Sequence, residues 1–180
     1  MISKLLLLIG IICLGLYGFF TVQAHFRQKA LEEELYQPLK PKVVTTAPAR
    51  APVKVLKEGD LFGRLEIPRL NMSVMVMEGD KDKTLLLGAG HVPGTPLAIA
   101  GHRDTFFRPL KDIKLYDTIR FTNEDGSSTE YRVVSTKIVG PKDTSAVDTT
   151  SGDKLTLITC YPFYYIGPAP KRFIVEATKN

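Results

Sequence analysis

Residues 5–24 read LLLLIGIICLGLYGFFTVQA, a run of 20 positions without a charged side chain. As a helix rising about 1.5 Å per residue, such a run spans about 30 Å, the thickness of a bilayer's hydrocarbon core. It therefore leaves the aqueous fold to the rest of the chain. Two alternatives fit the run. A cleaved leader would use Val22-Gln23-Ala24 as its small-residue cleavage site. A retained anchor suits a run longer than a usual leader core, so residues 1–24 are expected to be an N-terminal transmembrane helix. Either alternative exports the chain beyond residue 24, with the N-terminus inside and the remainder outside the cell membrane. The flanking charges do not decide orientation, because Arg27 and Lys29 beyond the run offset Lys4 before it. Cys13 falls within the span as a small apolar side chain.

Residues 25–57 read as a tether. Residues 25–37 (HFRQKALEEELYQ) are good helix formers of mixed charge. Pro38, Pro41, Pro48 and Pro52 then interrupt a stretch that cannot be helical, giving an extended spacer over 38–56. Charge follows this division. Residues 1–56 hold seven basic and three acidic side chains, or +4, and residues 57–180 hold 17 and 16, or +1. A part of the chain so nearly neutral is a poor polyanion binder, and no nucleic-acid partner is expected. Two cysteines in 180 residues exclude a disulfide-rich scaffold and zinc modules built on cysteine pairs. A hydrophobic content of 44% excludes wholesale disorder.

Residues 58–180 change to short strand signals. Strands are expected at 61–67, 74–77, 97–100, 118–122, 129–139, 155–159 and 172–177. Asp125-Gly126 between two β-branched runs predicts a hairpin turn. Asp80 can cap a short helix through Leu87 that Gly88 ends, and residues 106–113 can form a helical turn. Seven or eight short strands with little helix predict a mostly β, closed or sandwiched structure, for which this length buries a sufficient core.

Cys160 is the one cysteine of this exported part, either a buried apolar filler or a reactive thiol. It sits at the end of the Leu155-Thr156-Leu157-Ile158-Thr159 strand signal, and Pro162 ends the ladder just beyond it. Arg172 opens the last strand. If these two strands pair antiparallel, Cys160 and Arg172 meet at one rim. A cation beside a sulfur favours the nucleophilic thiolate. A thiol nucleophile also needs an acid–base partner. His25 lies too near the bilayer. His91 lies in a Gly/Pro-rich loop. His102 follows the apolar 97–100 strand, and strand-end loops commonly carry catalytic groups.

Ala100-Gly101-His102-Arg103, then Thr156-Leu157-Ile158-Thr159-Cys160, then Arg172 resembles the sortases, membrane-anchored cysteine transpeptidases of Gram-positive bacteria. The match in order and spacing covers about residues 58–180. Residues 159–172 and Gly101-His102-Arg103-Asp104-Thr105-Phe106-Phe107 are similar to class D sortases. The absence of an Asp-Pro-aromatic lid in 38–56 and the polar tail argue against the pilus-polymerising class C. The resemblance implies a sortase-type β-barrel preceded by one transmembrane helix, and a two-step acyl transfer. Cys160 would attack the threonine carbonyl of a Leu-Pro-x-Thr-x sorting signal on a surface protein. The thioester would then pass to an amine of a peptidoglycan precursor. His102 is the implied general acid and base, and Arg172 the oxyanion donor. The backbone N–H of Tyr161 would help Arg172.

For the substrate groove, Ala100, Ile158 and Val147 of the 140–152 loop are expected to supply apolar walls. His91 either lines that groove or stabilises its own loop, and Asp104 is a candidate to orient His102. The chemistry invokes no cofactor and no metal, and no clustered carboxylates resemble a calcium loop. Two alternatives remain: a cysteine hydrolase that uses the same residues with water as acceptor, and a non-enzymatic membrane-tethered β-domain with a buried, unreactive Cys160.

Overall fold

The computed structural model describes residues 56–143, 153–165 and 167–180, together with scattered helical positions between 14 and 26. Most of the expected span and tether lies outside the described residues, as do Cys13, His25 and Val147. Among the described residues no helix is long and apolar enough to cross a membrane.

Eight strands form a closed barrel: β1 (Leu61–Ile67), β2 (Met72–Glu78), β3 (Ala89–His91), β4 (Ala98–Gly101), β5 (Thr118–Asn123), β6 (Ser128–Val139), β7 (Lys154–Tyr161) and β8 (Lys171–Lys179). Their order around the barrel is β1-β2-β3-β4-β7-β8-β6-β5. Closure leaves no sheet edge, and the fold is mostly β as expected. Helix is confined to α1 (Asp82–Leu85) and to 3-10 turns at Pro68–Leu70 and Arg108–Asp112.

Local sequence explains the turns. Asn71 takes φ 48 after the Pro68 turn, a left-handed conformation that asparagine tolerates. The β5–β6 hairpin closes where Asp125 and Gly126 predict it. Asp125 Oδ1 accepts from the Ser127 N–H at 2.8 Å, and Gly126 has φ 83. Two expectations are corrected. Asp80 does not cap α1: the cap position is Lys81, and no side chain bonds there. Residues Ala89–His91, read as loop, are the strand β3, parallel to β2.

The interior is apolar and alternates by strand. Leu65, Ile67, Val74, Val76, Ile99 and Ile119 point inward with Leu155, Leu157 and Val175. Burying each such side chain contributes roughly 1.5–3 kcal/mol. β7 lies deep in this arrangement, parallel to β4 on one side and antiparallel to β8 on the other.

One connection matters for the outer surface. β6 ends at Val139, which pairs with Arg172, whereas β7 begins at Lys154, which pairs with Thr178. Residues 140–153 therefore join opposite rims of the barrel.

Candidate active site

Inward-facing Leu155 and Leu157 set the parity of β7, so Ile158 and Cys160 face outward. Cys160 is a free, partly exposed thiol. Its partner across the antiparallel β7–β8 ladder is Arg172. Directly opposed residues hold their Cβ atoms about 4.5–5.5 Å apart on the same face, so the two side chains leave the barrel side by side. Arg172 Nη1 donates to the carbonyls of Ala169 and Lys171, at 3.3 and 3.1 Å. These bonds tie its head to the loop before β8.

His102 reaches the same rim from the other side of β7. In the parallel β4–β7 pair, Gly101 lies opposite Thr159, so His102 and Cys160 each follow a paired residue. Thr159 fastens this register: its buried Oγ1 donates to the Gly101 carbonyl at 2.8 Å. Phe107, fully buried, then clamps the backbone. Its N–H donates to the His102 carbonyl at 3.1 Å, and its ring lies where a Cβ on Gly101 would come within 2.7 Å. Glycine at 101 is thus required by close packing. Among the described residues the His102 imidazole and the Cys160 thiol make no hydrogen bond to each other, and Asp104 makes none to His102.

The expected groove residues divide. Ala100 pairs with Ile158, and both are partly exposed on the face that carries Cys160. Ile174, buried, is the partner of Ile158 on β8. An apolar strip therefore leads up to the cysteine. Tyr161 follows Cys160 at the barrel mouth, where its ring stacks at 6.3 Å on Phe173 and meets Phe163 edge-on at 6.0 Å. Val147 lies outside the described residues.

His91 is enclosed rather than open to the groove. It is 7% exposed, with Nδ1 2.7 Å from Glu78 Oε2 and Nε2 3.0 Å from the Thr95 carbonyl. Its ring stacks on Phe62 at 4.0 Å between centroids. Of the two roles open to it, this geometry serves loop stabilisation. Among the described residues no cluster of three or more His, Cys, Asp or Glu side chains is placed to hold a metal ion.

Sequence reasoning passed over Arg103. It is 9% exposed, and its Nη2 donates to the carbonyls of Tyr165 and Gly167 at 2.6 and 3.0 Å. A charged residue directly after a strand-end histidine was the available signal; its partners, 62 and 64 positions away, were not visible.

Barrel and rim together are the frame of a known class of protein. The Sortase domain family matches residues 65–180, and the chain belongs to the sortase family. Sortase D of Bacillus subtilis is 38% identical over 125 residues, covering 65% of this chain and 63% of that protein. Sortase A of Listeria monocytogenes is 30% identical over 110 residues, covering 56% of this chain and 49% of that protein. The chain thus spans less than two thirds of the length of these relatives. Among solved structures, sortase A from Corynebacterium diphtheriae superposes with TM-score 0.61 at 30% identity, over 68% of this chain and 62% of that one. Sortase C of Clostridium perfringens with the C-terminal cell wall sorting motif has TM-score 0.63 at 24% identity, over 69% of this chain and 73% of that one. The latter likeness shows the fold alone.

Proposed function

We propose that this chain is a membrane-anchored cysteine transpeptidase, held by residues 1–24 with its barrel on the extracellular face. It cleaves a Leu-Pro-x-Thr-x sorting signal after threonine and transfers the protein to a peptidoglycan amine. The observation that carries this proposal is the direct β7–β8 pairing of Cys160 with Arg172, one position beyond the Gly101–Thr159 pair that sets His102.

The Cys160 thiolate attacks the threonine carbonyl carbon, and the carbonyl oxygen becomes an oxyanion. Arg172 and the Tyr161 N–H donate to it as charge develops, the interaction that most lowers such barriers. The tetrahedral intermediate collapses to a thioester, and the leaving amine takes its proton from the His102 imidazolium. A neutral acceptor amine then attacks the thioester carbonyl, gives its proton to His102 and expels the thiolate. The signal's apolar residues lie along Ala100 and Ile158, with Val147 over them.

The test is mass spectrometry of the full chain in detergent with sorting-signal peptides, with and without amines. A thioester-linked Cys160 and an amine-dependent product support transpeptidation. Products that never incorporate the amine favour a hydrolase with water as acceptor. A thiol that takes up no substrate rejects both.

A further inference from the structure

The net +1 of residues 57–180 hides a charge gradient along the barrel. β1, β4, β6 and β7 end at the rim that carries Cys160, and β2, β3, β5 and β8 begin there. The segments at this rim, residues 68–71, 102–117, 137–143 and 160–172, hold nine basic and four acidic side chains, or +5. The segments at the opposite rim, residues 57–60, 78–83, 92–97, 123–128, 153–154 and 178–180, hold five basic and eight acidic ones, or −3.

Exposed apolar side chains follow the same gradient. Leu115, Tyr116, Ile138, Tyr164 and Tyr165 stand exposed at the cysteine rim, Tyr116 and Tyr164 at 70% and 73%. Leu86 lies in the crossover from β2 to β3 and Val134 within β6, and among the described residues no large exposed apolar side chain lies at the opposite rim. Lys111 Nζ donates to the Tyr164 hydroxyl at 2.7 Å and lies 5.4 Å from the centre of its ring, which joins residues 108–116 and 163–165 into one surface. Arg108, Lys111 and Lys114 are exposed among these apolar tips, and Asp112 is the one acid in 108–116. Tyr116 takes φ 70, a left-handed conformation that bulky residues rarely adopt, and its N–H donates to the Val133 carbonyl at 2.8 Å. A ring held in solvent at such a backbone cost points to a role in contact with something else.

Tyrosines and a leucine set among arginine and lysine suit the headgroup layer of an anionic bilayer, where rings sit at the interface and cations meet lipid phosphates. A soluble polyanion would use the cations and leave the apolar tips in water. We propose that the cysteine rim docks on the membrane, with Leu115, Tyr116 and Tyr164 in the headgroup layer and Arg108, Lys111 and Lys114 on anionic lipids. The acidic opposite rim faces away. The proposal rests on the membrane anchor at residues 1–24 and not on the chemistry at Cys160. The chain enters β1 at the opposite rim, and an extended 38–56 spacer at about 3.1 Å per residue reaches about 60 Å. A strand of nine residues such as β8 is about 30 Å long, so the spacer can return past the barrel to the bilayer. Docking sets Cys160, on the same rim, close to the bilayer surface.

The chain has no tryptophan, so a single introduced one reports depth. Tyr116→Trp, Tyr164→Trp and, at the opposite rim, Lys179→Trp are made separately in the full chain, which is reconstituted in nanodiscs of phosphatidylcholine with brominated phosphatidylglycerol. Two rim probes keep the test open if one variant fails to fold. Each rim probe should be quenched about threefold or more beyond Lys179→Trp, because bromine quenches only near contact and the rings sit at the interface. Lys111→Gln together with Lys114→Gln should remove about half of the rim quenching or more. Salt at about 0.5 M should do the same by screening, with the chain still on the disc. Equal quenching at both rims, stronger quenching of Lys179→Trp, or rim quenching indifferent to charge and salt would overturn the proposal. Rim probes that stay unquenched on discs but shift with added polyphosphate would assign the rim to a soluble polyanion and overturn it too. A chain that does not co-purify with the discs rejects the anchor. In that case rim quenching by added vesicles of the same lipids still supports docking, and its absence overturns it.

Discussion

Thr159 shows how a single buried hydroxyl fixes the register of the candidate site. Its bond to the Gly101 carbonyl joins the two parallel strands at the last paired position before His102 and Cys160. Thr159→Val keeps the shape and removes the donor, leaving a buried carbonyl short of a partner. The expected cost is about 1–3 kcal/mol in denaturant unfolding. Turnover should fall by roughly tenfold or more, because small misplacements of a catalytic group cost rate steeply. Restored turnover in Thr159→Ser would separate the hydroxyl's role from the methyl's packing. Arg172→Lys keeps a positive charge but loses the planar fork, and should lower kcat on the order of 10²-fold, as loss of an oxyanion donor does.

Asp117 belongs to the same scale but to stability. Arg69 grips its carboxylate with Nε and Nη2, at 2.5 and 2.6 Å, and the Lys114 N–H donates to it at 2.8 Å. The Arg69 bonds hold the Asp117 carboxyl below its usual range, against the opposing effect of burial. A folded-state value below the unfolded one means the contribution is present above about pH 4 and is lost as pH falls through the folded value. The stability gap between wild type and Asp117→Asn should therefore be widest at neutral pH and should close in acid. Urea unfolding at a series of pH values reads it, and a gap that widens in acid would contradict the assignment.

At the scale of elements, the turn after β4 is the part most tightly specified. Phe107 fills the space beside Gly101 and bonds the His102 carbonyl, so the two ends of the 101–107 turn are tied together. Gly101→Ala would drive a methyl into the Phe107 ring and should cost about 1–3 kcal/mol by overpacking. Thermal melts read the loss, and an activity drop larger than the melt explains would report displacement of His102. Here the limits of the sequence become physical. The 155–159 and 172–177 signals are apolar and rich in β-branched residues, so both strands were legible, and antiparallel pairing, an assumption the ladder bears out, brings Cys160 opposite Arg172. β3 offered Ala89-Gly90-His91, too short and too small-chained to look like a strand. It exists because β2 and β4 pair with it on either side. Gly101 needed Phe107's position in space, and Arg103 needed carbonyls from a loop more than sixty positions away.

For the whole molecule, closure of the barrel places its chemistry on one rim. β4 and β7 run parallel and end together there, while β8 begins there, so His102 directly after β4, Cys160 in β7 and Arg172 in β8 lie at neighbouring strand ends. A mostly β, closed or sandwiched fold was legible from strand count and hairpin chemistry, and the barrel came only with the sortase resemblance; the strand order was not legible, because a parallel β4–β7 neighbour leaves no local mark. The join of opposite rims by residues 140–153 carries a consequence for binding. If Val147 meets the sorting signal as proposed, Val147→Asp should raise KM for a sorting-signal peptide several-fold with little change in Tm. A fall in Tm with unchanged KM would place Val147 in the core instead.

Covalent capture at Cys160 probes the transpeptidase assignment most directly. The full chain is mixed with a Leu-Pro-x-Thr-x peptide and quenched in acid, and its intact mass is recorded. A peptide-sized adduct that maps to Cys160, disappears on adding an amine and is absent in Cys160→Ala is the result expected. An unmodified thiol under every condition, or cleavage that persists in Cys160→Ala, would contradict it.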